Sequence, residues 1–298
     1  MKHKHSLRDW LTAVRPWSFP ASAMPVVATL GYLFAMHDDV DWVNGVWALV
    51  NIIVFHAAGN TWSDYFDYKR EVDAGDTFGV RTLTAGQFTP KEIYRLSVSL
   101  LAVALLGGVG LLLRTGLPLL YIGIGGLLCS VLYPPLKYKA CGDYVIFMAY
   151  ALLPTIGTVY ATTLHFDWRV LYLAVPIGLI TVAILHCNNL RDIDTDRRAH
   201  ISTPAMQMGG RASVWVYCLE VLLPFAWLVG CAVGGVLPAW CLLACVAAIP
   251  AVANVRVAVS YFRNGAAAIA NLDEGTAKLQ LAFSLLLAVA FTISGVVS

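Results

Sequence analysis

Nine apolar runs punctuate the chain, at about 18–36, 43–63, 94–113, 117–134, 143–163, 168–189, 213–236, 238–256 and 276–297. A membrane-spanning helix needs roughly 20 mostly apolar residues, and each run comes close to that length. With 59% hydrophobic and 13% charged residues over 298 positions, the chain is no ordinary soluble domain. The expected fold is all-α: a polytopic membrane protein of nine transmembrane helices, forming one domain over 1–298.

The placement of charge tests that count. With a cytoplasmic N-terminus and nine crossings, 18 of the 20 Lys and Arg residues fall on the cytoplasmic side, and only Arg114 and Arg169 fall on the other. This is a strong positive-inside asymmetry, and losing one span would scramble it. The protein is therefore expected in a bacterial-type inner or plasma membrane, with its C-terminus on the opposite side. The net charge of +2 carries little information as a total. The lipid bilayer is the expected large-scale partner, and no nucleic acid is. No cleavable signal is expected, because the first run is long enough to span and lacks a cleavage context.

Two runs end in acidic clusters on the cytoplasmic side. Val43 to Ala58 leads into Asn60, Asp64 and Asp67, which share one helix face at i, i+4 and i+7. Asp73 and Asp76 follow in an expected loop. Val170 to Leu185 leads into Asn188, Asp192 and Asp196 at i, i+4 and i+8, with Asn189 as an alternative register and Asp194 on the opposite side. Carboxylates crowded at the mouth of an apolar helix repel one another and resist leaving water. A divalent cation relieves both costs. Oxygen ligands of this kind suit Mg²⁺, bound through one or two carboxylates plus substrate phosphates. Matching clusters at 60–76 and 188–198 suggest an internal repeat with a site between its halves.

Other residues carry weaker signals. Lys69, Arg70 and Arg81 suit phosphate oxygens, although positive-inside anchoring explains Lys69 and Arg70 equally well. His56 lies one turn before Asn60, where it either reaches a polar substrate or packs with a hydrogen bond. Pro134 and Pro135 are expected to stop the fourth span, leaving Tyr133, Lys137, Tyr138 and Lys139 on the side of the acidic clusters. Pro154 and Gly157 allow a kink in the fifth span. Glu220 inside the seventh reads as a helix-to-helix hydrogen bond. The seven cysteines form no CxxC pair and read as small packing residues, with no disulfide framework or zinc site implied.

Taken together, Asn60-x3-Asp64-x2-Asp67 and Asp192-x3-Asp196, after spans two and six of nine, resemble the UbiA superfamily of intramembrane prenyltransferases. The resemblance covers nearly the whole chain. It includes Arg81 to Pro90, the Pro135-Leu136-Lys137-Tyr138 segment leading to Gly142-Asp143, and the run Asn189 to Arg197. That last run, with Thr276-Ala-Lys-Leu, is most similar to the 1,4-dihydroxy-2-naphthoate polyprenyltransferases of menaquinone synthesis. The resemblance implies one helical bundle around a central cavity with cytoplasmic Asp-rich loops. It implies Mg²⁺ held by Asp64, Asp67, Asp192 and Asp196 as catalytic residues. It further implies a polyprenyl diphosphate bound by Lys69, Arg81, Lys137, Arg191 and Arg198, and an aromatic acceptor met by Asn60, His56, Asn189 and Tyr138.

Two positions depart from the family pattern. Ser63 stands where Asn is common, and Ile201 stands where a basic residue is expected, so that Arg198 or Arg211 must take its place. The chemistry implied is loss of pyrophosphate to give an allylic cation, which an electron-rich ring then attacks. Three alternatives compete with this reading. A cation-coupled transporter would place its acids nearer the midplane and without adjacent basic residues. A CDP-alcohol phosphotransferase would need an Asp-Gly-x2-Ala-Arg opening, which is absent. Within the family, 4-hydroxybenzoate is the rival acceptor.

Overall fold

The computed structural model describes residues 5–70 and 82–297. Thirteen α-helices carry the fold among these residues: α1 (Leu7–Val14), α2 (Pro20–Ala35), α3 (Trp42–Lys69), α4 (Pro90–Thr115), α5 (Pro118–Lys137), α6 (Gly142–Phe147), α7 (Leu153–Thr163), α8 (Leu171–Arg191), α9 (Ile193–Arg198), α10 (Pro204–Met208), α11 (Gly210–Val233), α12 (Ala248–Asn264) and α13 (Leu272–Val297). No strand occurs among the described residues; Lys139 and Ser202 form an isolated bridge.

Eight helical stretches among the described residues are long and apolar enough to cross a membrane. The first expected span is the exception. Helix α2 has only 16 residues and reaches the needed length together with Leu7–Ser18, from which it is bent by 51°. Arg15, with a left-handed backbone (φ 56°), ends α1, and Pro16 opens the short 3-10 turn that leads to the bend before Pro20. Local signals set other boundaries. Thr89 and Glu92 form a capping box at the start of α4, and Pro90 sits where no amide donor is needed.

The prolines at 134 and 135 do not end α5, contrary to the sequence expectation. The helix continues to Lys137 with both prolines inside its last turn. Each proline removes an amide donor and crowds the carbonyl four residues before it, but both stand in the last turn, so the disruption falls on the end of the helix. This keeps Lys137 on the helix, aimed inward. The fifth span, where Pro154 and Gly157 allow a kink, is not a continuous α-helix. A π-helical turn at Met148–Leu152 separates α6 from α7 directly before Pro154, which absorbs the missing donor.

In lipid, helices associate through close packing rather than through hydrophobic transfer. The core here joins α2, α8, α11 and α13 through Tyr32, Leu173, Ile177, Tyr217, Leu228, Phe283 and Phe291, all fully buried. Gly31 lets α2 approach α13: a Cβ there would stand 3.0 Å from the backbone oxygen of Ala288.

The connections sort into two ends. At one, Arg114 pairs with Asp41 at 3.1 Å, Arg169 with Asp167 at 2.9 Å, and Tyr160 donates to the Thr115 carbonyl at 2.9 Å. At the other, the last turns of α3 and α5 and the C-terminal part of α8 meet Arg15 at the end of α1 and the first turns of α6 and α13. Arg114 and Arg169, the two cations expected apart from the rest, thus share the end away from the acidic motifs.

Candidate active site

A cavity of about 1230 Å³ opens between α2, α3, α4, α5, α7, α8 and α13. Asp64, Asp67, Asp192 and Asp196 all line it, so the two sequence motifs face one space. Below them the walls are apolar. Leu105, Val109, Leu120 and Ile124 line the cavity and are exposed, and α4 and α5 are the least buried of the spans.

Each acid of the first motif has its own counter-cation. Asp64 is buried and pairs with Arg15, which the bend before α2 swings onto the end of α3. Asp67 is buried and accepts from Lys137 Nζ at 2.9 Å, Tyr138 Oη at 2.6 Å and Ser63 Oγ at 3.1 Å. Burial, then the Asp67 charge, pushes the Tyr138 hydroxyl pKa up and keeps it a donor. Ser63, one of the departures from the family pattern, therefore serves as a donor to Asp67.

In the second motif, α8 ends at Arg191 and Asp192 is its C-cap. Arg191 grips both Asp192 oxygens, at 2.8 and 2.9 Å, and is anchored to the Ala270 carbonyl and Asp273, each at 3.2 Å. The helix restarts as α9 and turns Asp196 back onto the cavity, while Asp194 faces solvent beside Arg197. Burial and then the Asp192 charge raise the Asp196 carboxyl to about 7. A cation between the motifs would lower it again.

The remaining predicted residues divide. Asn60 lines the cavity and donates to the Val14 carbonyl and Ser18 Oγ, both at 3.0 Å, tying α1 to α3. His56 is on the wall as well as held in the packing: its ring nitrogens lie 2.8 Å from Ser22 Oγ and 3.3 Å from Ser18 Oγ, beside the Tyr150 ring. Asn189 lines the wall and donates to Asp143 Oδ1 at 3.4 Å. Lys69 sits over the Tyr65 ring at the exposed end of α3, and Arg198 is exposed at the end of α9; neither lines the cavity. Arg211 is also exposed. Arg81, Asp73 and Asp76 lie outside the described residues. Ile201 is buried, with its amide donating to the Asp196 carbonyl at 3.2 Å.

Sequence reasoning missed Arg15 and Lys278 among the cavity-lining cations. The only sequence signal for Arg15 was its place in a basic N-terminal segment.

The donor set fits a hard dication. Asp64 Oδ2 and Asn188 Oδ1 are buried, lack a hydrogen-bond partner among the described residues, and belong to opposing motifs on the same cavity. Orphaned buried acceptors of this kind call for a donor or a cation.

A helical membrane bundle with an acid-mouthed apolar cavity defines the class. The sequence pattern of the UbiA prenyltransferase family matches residues 23–272, and the chain belongs to that family. It is 34% identical over 232 residues to the UbiA prenyltransferase domain-containing protein 1 homolog of Drosophila melanogaster, a match covering 74% of this chain and 63% of that protein. The matched part of the chain thus spans less than two thirds of that relative's length. It is 30% identical over 291 residues to 1,4-dihydroxy-2-naphthoate octaprenyltransferase of Mycobacterium tuberculosis, covering 96% and 98% of the two chains. A structure of a UbiA homolog from Archaeoglobus fulgidus bound to GPP and Mg²⁺ superposes with a TM-score of 0.59 at 12% identity, over 94% of this chain and 99% of that one. At that identity the likeness shows the fold.

Proposed function

We propose that the chain transfers a polyprenyl group from an allylic diphosphate to an aromatic acceptor, with 1,4-dihydroxy-2-naphthoate as the acceptor and Mg²⁺ as the metal. The observation that carries this reading is the meeting of both acidic motifs over one apolar cavity, with an unpartnered buried oxygen on each side. The full-length similarity to the M. tuberculosis octaprenyltransferase favours the naphthoate.

On this reading Asp64, Asp67, Asp192 and Asp196 hold the metal. Mg²⁺, when bound, would neutralise the charge that builds on the bridging oxygen of the leaving diphosphate. Lys137, Arg191 and Arg15 exchange their carboxylate partners for phosphate oxygens. In this way the protein keeps its acids compensated before substrate arrives and retains its cations for the leaving group. The carbon–oxygen bond of the donor breaks to give pyrophosphate and an allylic cation. The aligned ring attacks that cation, and loss of CO₂ restores aromaticity. The apolar walls exclude water, which would trap the cation as an alcohol. The exposed flank of α4 and α5 gives the isoprenoid tail a route to lipid. Asn60, His56 and Asn189 border the acceptor.

The test is turnover by the purified full-length protein with Mg²⁺, a polyprenyl diphosphate and the two acceptors in parallel. Prenylated naphthoquinol with release of CO₂ is expected. Prenylation of 4-hydroxybenzoate in its place would overturn the acceptor.

We also propose that the acidic end faces the cytoplasm, on the strength of the 18-to-2 division of basic residues. In a background lacking native cysteines, Asp194→Cys is expected to label only from the cytoplasmic side and Leu117→Cys only from the other. Labelling of both from one side would contradict the arrangement.

A further inference from the structure

Behind the cavity wall, three ligand-type side chains from three helices converge: Asp143 at the start of α6, His186 on α8 and Glu220 on α11. Their ligand atoms lie within 4.8 Å of one another. His186 Nδ1 is 3.4 Å from Glu220 Oε1 and 3.6 Å from Asp143 Oδ2. Both separations are long for N–H···O hydrogen bonds. They suit donors around a tetrahedral ion: with about 2.0–2.2 Å to each ligand, neighbouring donors stand roughly 3.3–3.6 Å apart.

The surroundings support this. His186 is 1% exposed, and its Nε2 lies 2.7 Å from the buried Ser213 Oγ. With Nε2–H donated to Ser213, the Nδ1 lone pair faces two carboxylates, which is repulsive unless a cation stands between them; in the other neutral tautomer a single Nδ1–H faces two carboxylates, neither within ordinary hydrogen-bond distance. Protonating the ring instead still leaves one net negative charge in a largely buried trio. Glu220 Oε2 is buried and has no hydrogen-bond partner among the described residues. Asn189 holds the other oxygen of Asp143, as outer-shell groups do around metal ligands.

The geometry points to a second metal site at Asp143, His186 and Glu220, taking a transition dication of the zinc class. A dication, a neutral imidazole and two carboxylates sum to zero charge. A water donating to the unpartnered second oxygen of Glu220 would complete the tetrahedral set. The mixed nitrogen and oxygen set suits zinc-class ions, whereas the oxygen-only acidic motifs suit Mg²⁺. The ion would tie α6, α8 and α11 together directly below the acidic end. The inference does not depend on which acceptor or donor the cavity takes.

The probe is Co²⁺ added to the purified, chelator-stripped full-length protein in excess Mg²⁺, which fills oxygen-only sites. One equivalent of Co²⁺ should be retained, and X-ray absorption at the cobalt edge should show scattering from a single imidazole. Glu220→Gln and His186→Gln should lose that bound equivalent. Ser213→Ala, which leaves all three ligands in place, should weaken it by about 10–100-fold. Absence of imidazole-bound cobalt in the unmodified protein would overturn the proposal and leave the trio a hydrogen-bonded ion pair, whatever the variants do. Retention of the imidazole signature in His186→Gln would overturn it as well.

Discussion

Replacing Asp64 or Asp192 by alanine is expected to lower prenyl transfer by about a thousandfold or more, with the protein still inserted and folded. Removing one preorganised group that stabilises transition-state charge typically costs about 10²–10³ in turnover, and a lost metal ligand also loosens the ion. On the proposed reading the two acids share one role, in different settings. Asp64 is buried on the last turns of α3 against Arg15, whereas Asp192 caps α8 in a bidentate pair with Arg191. Equal losses from such different local environments would argue for a shared metal rather than for two separate packing defects. Single-turnover assays at saturating Mg²⁺, with size-exclusion profiles as the folding control, measure this. Near-normal activity of either variant at limiting Mg²⁺ would remove that acid from the ligand set.

Lys137→Met is expected to weaken both the fold and the donor site. Lys137 is the strongest cationic partner of Asp67, whose side chain is 8% exposed. Breaking a buried pair by removing one partner costs about 3–5 kcal/mol, and the open cavity beside this pair places the expectation at about 2–4. Added Mg²⁺ should restore much of the lost thermal stability by giving Asp67 another cation. Lys137→Met/Asp67→Asn should be more stable than Lys137→Met alone in metal-free buffer. In the enzyme assay, one lost charge-assisted hydrogen bond to phosphate, about 1.5–3 kcal/mol, raises the KM for the prenyl diphosphate roughly ten- to a hundredfold. The KM for the acceptor should stay nearly unchanged. A donor KM within twofold of the parent would show that Lys137 serves Asp67 alone.

Local patterns in the sequence made part of this site legible. The i, i+4, i+7 spacing of Asn60, Asp64 and Asp67 needs only a continuing helix, and α3 does continue to Lys69. Asp194 was legible as lying opposite Asp192 and Asp196, but the break at Asp192 was not, because the i, i+4, i+8 spacing of Asn188, Asp192 and Asp196 reads as one continuing helix. Arg15 was not legible, because its contact with Asp64 depends on a left-handed residue and a 51° bend between two helices. The reach of α5 past Pro134 and Pro135 was misread because the rule for proline in a helix interior was applied to a last turn. Glu220 was read as a contact between helices, and His186 carried no signal of its own. Their meeting with Asp143 joins segments far apart in the chain, which no short-range pattern encodes.

The central claim is that the two acidic helix ends are halves of one Mg²⁺-dependent diphosphate site. It is tested most directly by equilibrium binding of a non-hydrolysable prenyl thiodiphosphate to the full-length protein, with and without Mg²⁺. The parent protein is compared with Asp67→Asn, Asp196→Asn and the double variant. The expected result is an affinity gain from Mg²⁺ of about a hundredfold or more, equivalent to about 2.7 kcal/mol. Either single variant should abolish most of that gain, and the double variant should lose little beyond it, because both acids act on the same bound ion. Binding that is equally tight in chelator, or losses from the two variants that simply add, would contradict a shared site.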